Sequence, residues 1–136
     1  MVARLADWEP RLNAWLADKP AAPFAWGTLD CVVFAFGCIE AMTGEQVCPP
    51  HGDYTTRIGA MRALTKAGFD NLAFVMDSVL DDNPPALAMR GDIVMHDGGL
   101  GVCLGVTSVF LIEDGVGLKS EPTLACSHSW RVPFGE

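Results

Sequence analysis

Cys31 directly follows Asp30 in "PFAWGTLDCVVFAFGCIEAMTG", where a loop passes into an apolar helix. A thiol in the first turn of a helix meets unpaired backbone N–H groups and the positive end of the helix dipole, which favour the thiolate and make it nucleophilic. Amide hydrolysis by such a thiol also needs an imidazole, to accept the thiol proton and later to protonate the leaving amine. His96, in "DIVMHDGGLG", is the first candidate base: the turn Asp97-Gly98-Gly99 closes a tight hairpin and sets His96 opposite Gly99 or Leu100. Cross-strand neighbours have Cβ atoms about 5 Å apart, so the imidazole could reach a site at the start of the second strand. His128, in "CSHSW", is the second candidate. A plainer reading stands beside this chemistry. Cysteine is among the most buried residue types, and Asp30 as a helix cap would set a negative charge against the thiolate.

Two pairs of soft and imidazole ligands, Cys48 with His51 in "CPPH" and Cys126 with His128 in "CSH", could in principle hold a tetrahedral zinc. The prolines of the first pair and the single spacer of the second fit poorly, so neither a metal nor another cofactor is expected. Gly98, Gly99, Gly101 and Gly105 are strand and turn glycines, because no Lys-Ser/Thr and no helix follow them as a phosphate loop requires. The five cysteines, an odd number without dense pairing, read as free thiols.

The elements that must position these groups follow from periodicity. Leu5, Trp8, Leu12, Trp15 and Leu16 recur at helical spacing, and Asp7 and Pro10 suit a helix start, predicting a first helix over about 7–18. The second, about 30–42, is apolar on nearly every face and ends at "TG". Ile58, Met61 and Leu64 mark a third, capped near Thr55 or Thr56 and closed by Gly68, and "NLAFVMDSVL" a shorter fourth. "DDNPPALAMRG" breaks the helical pattern. From Gly91 the chain turns to short Val-, Ile- and Leu-rich runs between Gly and Asp: "DIVMH", "GVCLGV", "SVFLIE", "GVGLK" and "SWRVPF". Helices first and strands afterwards predict an α+β domain over 1–136, with a mainly helical part over 1–90 and an antiparallel sheet of about four to six strands over 91–136.

Composition narrows the partners. The 136-residue chain carries a net charge of −8, and its nine basic residues are scattered without a cluster. That excludes nucleic acid and argues against anionic lipid. The longest apolar run, "CVVFAFGCI", is about half a membrane span, so no membrane insertion is expected. The N-terminus reads as an amphipathic helix and not as an export signal, which makes the cytoplasm the default location. With half of the residues hydrophobic, Trp8, Trp15 and Trp26 serve either the core or a subunit interface.

"FAWGTLDC", a helix ending in "TG", a later "RGDIV" opening a sheet and "GLGVCLG" as the next strand resemble the layout of the NlpC-type cysteine peptidases of the papain-like superfamily. With the "DWEPRL" start and the "SWRV" end, the whole pattern more closely resembles an uncharacterised family encoded among bacteriophage and prophage tail genes. The resemblance implies a helix carrying the nucleophile Cys31 packed on an antiparallel sheet. It also implies a catalytic histidine at the start of the strand "GLGVCLG", where this chain has Gly99. The third member of a peptidase triad would lie on the next strand, where Glu113 and Asp114 are the polar residues. Cys103, alternating with Gly99, is expected on the side where the Cys31 helix packs. With the base position empty, the expected function is a tail-associated scaffold, a pseudoenzyme that binds tail or other protein partners or further copies of itself, in the host cytoplasm or carried in a phage particle. The alternative is an active cysteine peptidase or amidase with Cys31 as nucleophile and His96 or His128 as a displaced base.

Overall fold

A computed structural model describes residues 3–46 and 54–135. Helices α1 (Trp8–Leu16), α2 (Cys31–Thr43), α3 (Arg57–Lys66) and α4 (Leu72–Asp77) come first and pack on a six-stranded antiparallel sheet. Its strands are β1 (Asp81–Asn83), β2 (Ile93–His96), β3 (Gly99–Cys103), β4 (Thr107–Leu111), β5 (Leu118–Pro122) and β6 (His128–Arg131), in the order β1-β6-β2-β3-β4-β5. The α+β expectation holds, and the five predicted strand segments overlap β2 to β6, although of "GVGLK" only Leu118 and Lys119 belong to β5. The sheet begins earlier than position 91: Asp81, Asp82 and Asn83 pair with Arg131, Trp130 and Ser129 as an edge strand. A polar three-residue strand has no alternation to reveal it, and its pairing is supplied by β6 from the far end of the chain. The first helix is shorter than expected, because a 3-10 turn at Lys19–Ala21 takes over where Pro20 removes a backbone donor.

α2 is the spine of the molecule. Val32, Phe34, Ala35, Phe36, Cys38, Ile39, Met42 and Thr43 are all buried, so the helix is covered on most sides, by α1 and by the sheet. Gly44 ends it in the left-handed region (φ 72°), its N–H bonded to the Glu40 carbonyl at 2.8 Å. α1 reaches α2 through Trp15, whose ring lies so close to Gly37 that a β-carbon there would sit 2.1 Å from it. The Lys19 ammonium caps the same ring at 3.6 Å.

The sheet sorts its side chains by alternation. Ile93, Met95, Leu100, Val102, Val109, Leu111 and Trp130 face the helices and join the main core. Val94, Cys103, Phe110 and Cys126 form a second, smaller cluster on the opposite face. Trp130, wholly buried, donates its indole N–H to Asp77 Oδ1 at 2.8 Å and so ties β6 to α4.

A buried ionic knot joins the two ends of the chain. Arg4 donates to the carbonyls of Val132 (2.8 Å) and Arg90 (2.7 Å) and to Asp92 Oδ1 (2.9 Å), with its guanidinium 4.3 Å from the Trp8 ring and 4.2 Å from that of Phe134. Asp92, fully buried, also accepts from the Met89 and Val132 N–H groups and from Arg131 Nε. A carboxylate with this many donors bears a burial that would otherwise be prohibitive. The aspartate of "RGDIV" is thus a structural keystone.

Candidate functional site

The candidate site is built at the start of α2. Asp30 is the N-cap in extended conformation, and its side chain is buried. Oδ1 accepts from the Val32 and Val33 N–H groups, both at 3.0 Å; Oδ2 accepts from the Gly27 N–H at 3.0 Å and from the Tyr54 hydroxyl. Gly27 adopts φ 81°, and a β-carbon there would meet the Tyr54 carbonyl, so the loop before α2 and the Tyr54 backbone are pressed together around this carboxylate.

Cys31 is next to that charge. The free N–H groups that would have stabilised a thiolate are already bonded to Asp30, and the aspartate repels a second negative charge. Burial against Leu100 and the main core, followed by the charges of Asp30 and Glu113, pushes the thiol up to about 11, although the Leu100 backbone N–H works in the other direction. At neutral pH the group is a protonated thiol. Tyr54 is shifted upward as well, first by burial and then by its bond to Asp30.

Cys31, half-buried, forms part of the wall of a cleft of about 490 Å³. Trp26 and Phe24, edge to face at 4.9 Å between ring centres, line one side with Tyr54; α3 contributes Arg57, Met61 and Leu64; and the β2–β3 turn and Glu113 complete the rim.

Neither expected base is hydrogen-bonded to Cys31. His96 pairs with Gly99 across the hairpin as predicted, but the pair belongs to the face of the sheet turned away from α2. The His96 ring sits over Phe110 (5.9 Å between centres), its Nε2 is 3.8 Å from Glu121 and its Nδ1 3.7 Å from Asp97, and it is among the residues that line the cleft. His128 is on the correct face and in the wrong column. Its strand partner is Met95, which in turn opposes Leu100 on β3, so two inter-strand spacings, roughly 10 Å, separate it from the strand that touches Cys31. It is exposed, stacked parallel to Trp130 at 5.7 Å and bonded through Nδ1 to the Ser127 hydroxyl at 2.8 Å. Among the described residues no hydrogen bond links the Cys31 sulfur to an imidazole.

Other expectations are corrected. Cys103 does share a face with Gly99 and Gly101, as alternation requires, but this is the outer face, where it packs with Val94, Phe110 and Cys126. Leu100 and Val102 are the β3 side chains turned to α2. Glu113 borders the cleft, whereas Asp114 takes a left-handed turn position (φ 56°) between β4 and β5. Of the zinc pairs, Cys48 and His51 lie outside the described residues; Cys126 is buried in the outer cluster, while His128 starts β6 on the helix-facing side. Among the described residues no group of three or more His, Cys, Asp or Glu side chains is placed to hold a metal ion. No helix among them is long and apolar enough to cross a membrane. Tyr54 is the site residue that sequence reasoning missed. Its one signal is that it is the only tyrosine in the chain, and its partner Asp30 is twenty-four positions away.

Fold and site together define an α+β domain with a cysteine-walled cleft whose thiol is held protonated. The chain belongs to the family described as Domain of unknown function (DUF6950), whose model matches residues 3–132. No curated protein and no solved structure matches it.

Proposed function

We propose that this protein is a phage or prophage tail-associated module on a papain-like, NlpC-type scaffold, used for binding or assembly and not for catalysis. One observation carries the non-catalytic part: among the described residues, the one thiol on the cleft wall follows a buried carboxylate and no imidazole is hydrogen-bonded to it. A cysteine hydrolase needs the reverse arrangement, a thiolate or a thiol hydrogen-bonded to its base. The cleft itself, with its aromatic and apolar wall, is of a size that binds small ligands or a short stretch of polypeptide. The assignment to tail genes and to the NlpC scaffold rests on the motifs "FAWGTLDC", "RGDIV" and "GLGVCLG" and on the helix-then-sheet order.

The test is iodoacetamide labelling of the folded protein at neutral pH, with Cys31 followed by peptide mass mapping, alongside assay against peptidoglycan and peptide amides. Slower alkylation than a model thiol and no hydrolysis are expected. Rapid labelling of Cys31 with Cys31-dependent hydrolysis would establish the alternative, an active peptidase or amidase. Absence of a stable complex with any co-encoded tail protein would count against the assembly role.

A further inference from the structure

α3 is the most exposed helix of the fold: none of its ten side chains is buried. Ile58, Met61, Arg62, Thr65 and Lys66 fall at helical spacings of three and four, on one face, and line a shallow groove of about 490 Å³. Ile58 is 62% and Met61 61% exposed. The charge on this helix is of one sign. Arg57, Arg62 and Lys66 are a third of the basic residues of the chain, no acid lies between them, and among the described residues none has an ionic partner.

The segment that follows is its opposite. Asp70, Asp77, Asp81 and Asp82 are exposed, and residues 67–83 contain no Lys or Arg. On α4, Phe74 is 50% exposed and stands one turn from Asp77, so this surface too combines an apolar knob with charge. α3 and the start of α4 border the same cleft, through Met61 and Leu64 on one side and Asp70 and Leu72 on the other.

From this we propose that the α3–α4 face is a self-complementary interface through which two copies of this chain pair about a two-fold axis, with α3 of one copy on α4 and β1 of the other. A two-fold contact repeats every pairing in reverse, so two patches of opposite sign on one chain satisfy each other twice. Charge also selects the register, because α3 on α3 would bring three cations against three. Ile58 and Met61 of one copy and Phe74 of the other supply the apolar centre that charge alone lacks. The proposal does not rest on the reading of Cys31.

The experiment is light scattering behind size exclusion on the full chain at ~50 mM and ~500 mM salt, where the Debye length falls from about 14 Å to about 4 Å. The expected mass is about 29 kDa, twice the 14.6 kDa chain, falling toward the monomer at high salt. Two variants of exposed residues, Arg62→Glu/Lys66→Glu and Asp81→Lys/Asp82→Lys, should each be monomeric, and their equimolar mixture should recover the dimer mass. Circular dichroism of each variant establishes that it is folded. A monomeric wild type at both salt concentrations overturns the proposal. So does a dimer that both variants retain, or a mixture of folded variants that stays monomeric.

Discussion

His96 and Gly99 oppose each other across the β2–β3 hairpin, and both belong to the face of the sheet turned away from the Cys31 helix. The position that a catalytic histidine would occupy by resemblance therefore looks the wrong way, onto the outer face of the sheet. A β-carbon at Gly99 meets nothing closer than the His96 carbonyl at 3.6 Å, so Gly99→His should fold. We predict that it leaves the alkylation rate of Cys31 unchanged within about twofold, a small effect beside the 10²–10⁴ typical of a positioned base. A tenfold acceleration at pH 7 would show that the imidazole reaches the thiol.

Cys31 reactivity should rise with pH toward a midpoint near 11, since the thiolate is the species that alkylates. Asp30→Asn keeps an acceptor for the Val32 and Val33 N–H groups and removes the adjacent negative charge. The midpoint should move down in this variant, seen as faster labelling at pH 9. An unchanged or higher midpoint would refute the role assigned to the aspartate.

Alkaline pH should destabilise the fold. Cys38, enclosed between α1 and the core, is pushed up to about 12 by burial, and Cys31 to about 11, against 9.0 for an ordinary thiol. Above pH 9 the unfolded chain releases these protons and the folded chain does not, so stability is complete below about 9 and declines toward 11 to 12. Each thiol contributes a slope approaching 1.4 kcal/mol per pH unit in that window. Denaturant unfolding at several pH values tests this, and Cys38→Ala should flatten the decline relative to the unsubstituted chain.

Asp92→Ala should be among the most damaging single changes. It leaves Arg4 buried without its counter-charge and removes the acceptor of the Met89 and Val132 N–H groups. The expected loss is about 3–5 kcal/mol in chemical denaturation. A loss below about 1 kcal/mol would mean that the knot is dispensable.

Gly37→Ala tests the contact between α1 and α2. Glycine to alanine inside a helix ordinarily stabilises by roughly 0.5–1 kcal/mol. Here the new methyl group would meet the Trp15 ring, and overpacking of about 1–3 kcal/mol should reverse the sign. A higher melting temperature in this variant would contradict the packing described.

Much of this architecture was legible in local pattern. The apolar continuity of residues 31–43 announced a covered helix, "TG" its end, and the Asp97-Gly98-Gly99 turn the hairpin with His96 opposite Gly99. Asp30 as a cap that opposes a thiolate at Cys31 could also be read from adjacency, because both effects act over one helical turn. Alternation placed Gly99, Gly101 and Cys103 on one face, but period two does not say which face meets the helices; that choice was made by the burial of Leu100 and Val102 against α2. Likewise β1 is a strand only because β6 lies beside it, and Tyr54 belongs to the site only because the loop before α2 folds onto it. Sequence by itself determined the four helices, five of the six strands, their order and the sign of the charge beside Cys31, all set by neighbours along the chain. The tertiary structure alone decided which side of the sheet His96 and His128 occupy, because that depends on burial across distances no local pattern encodes.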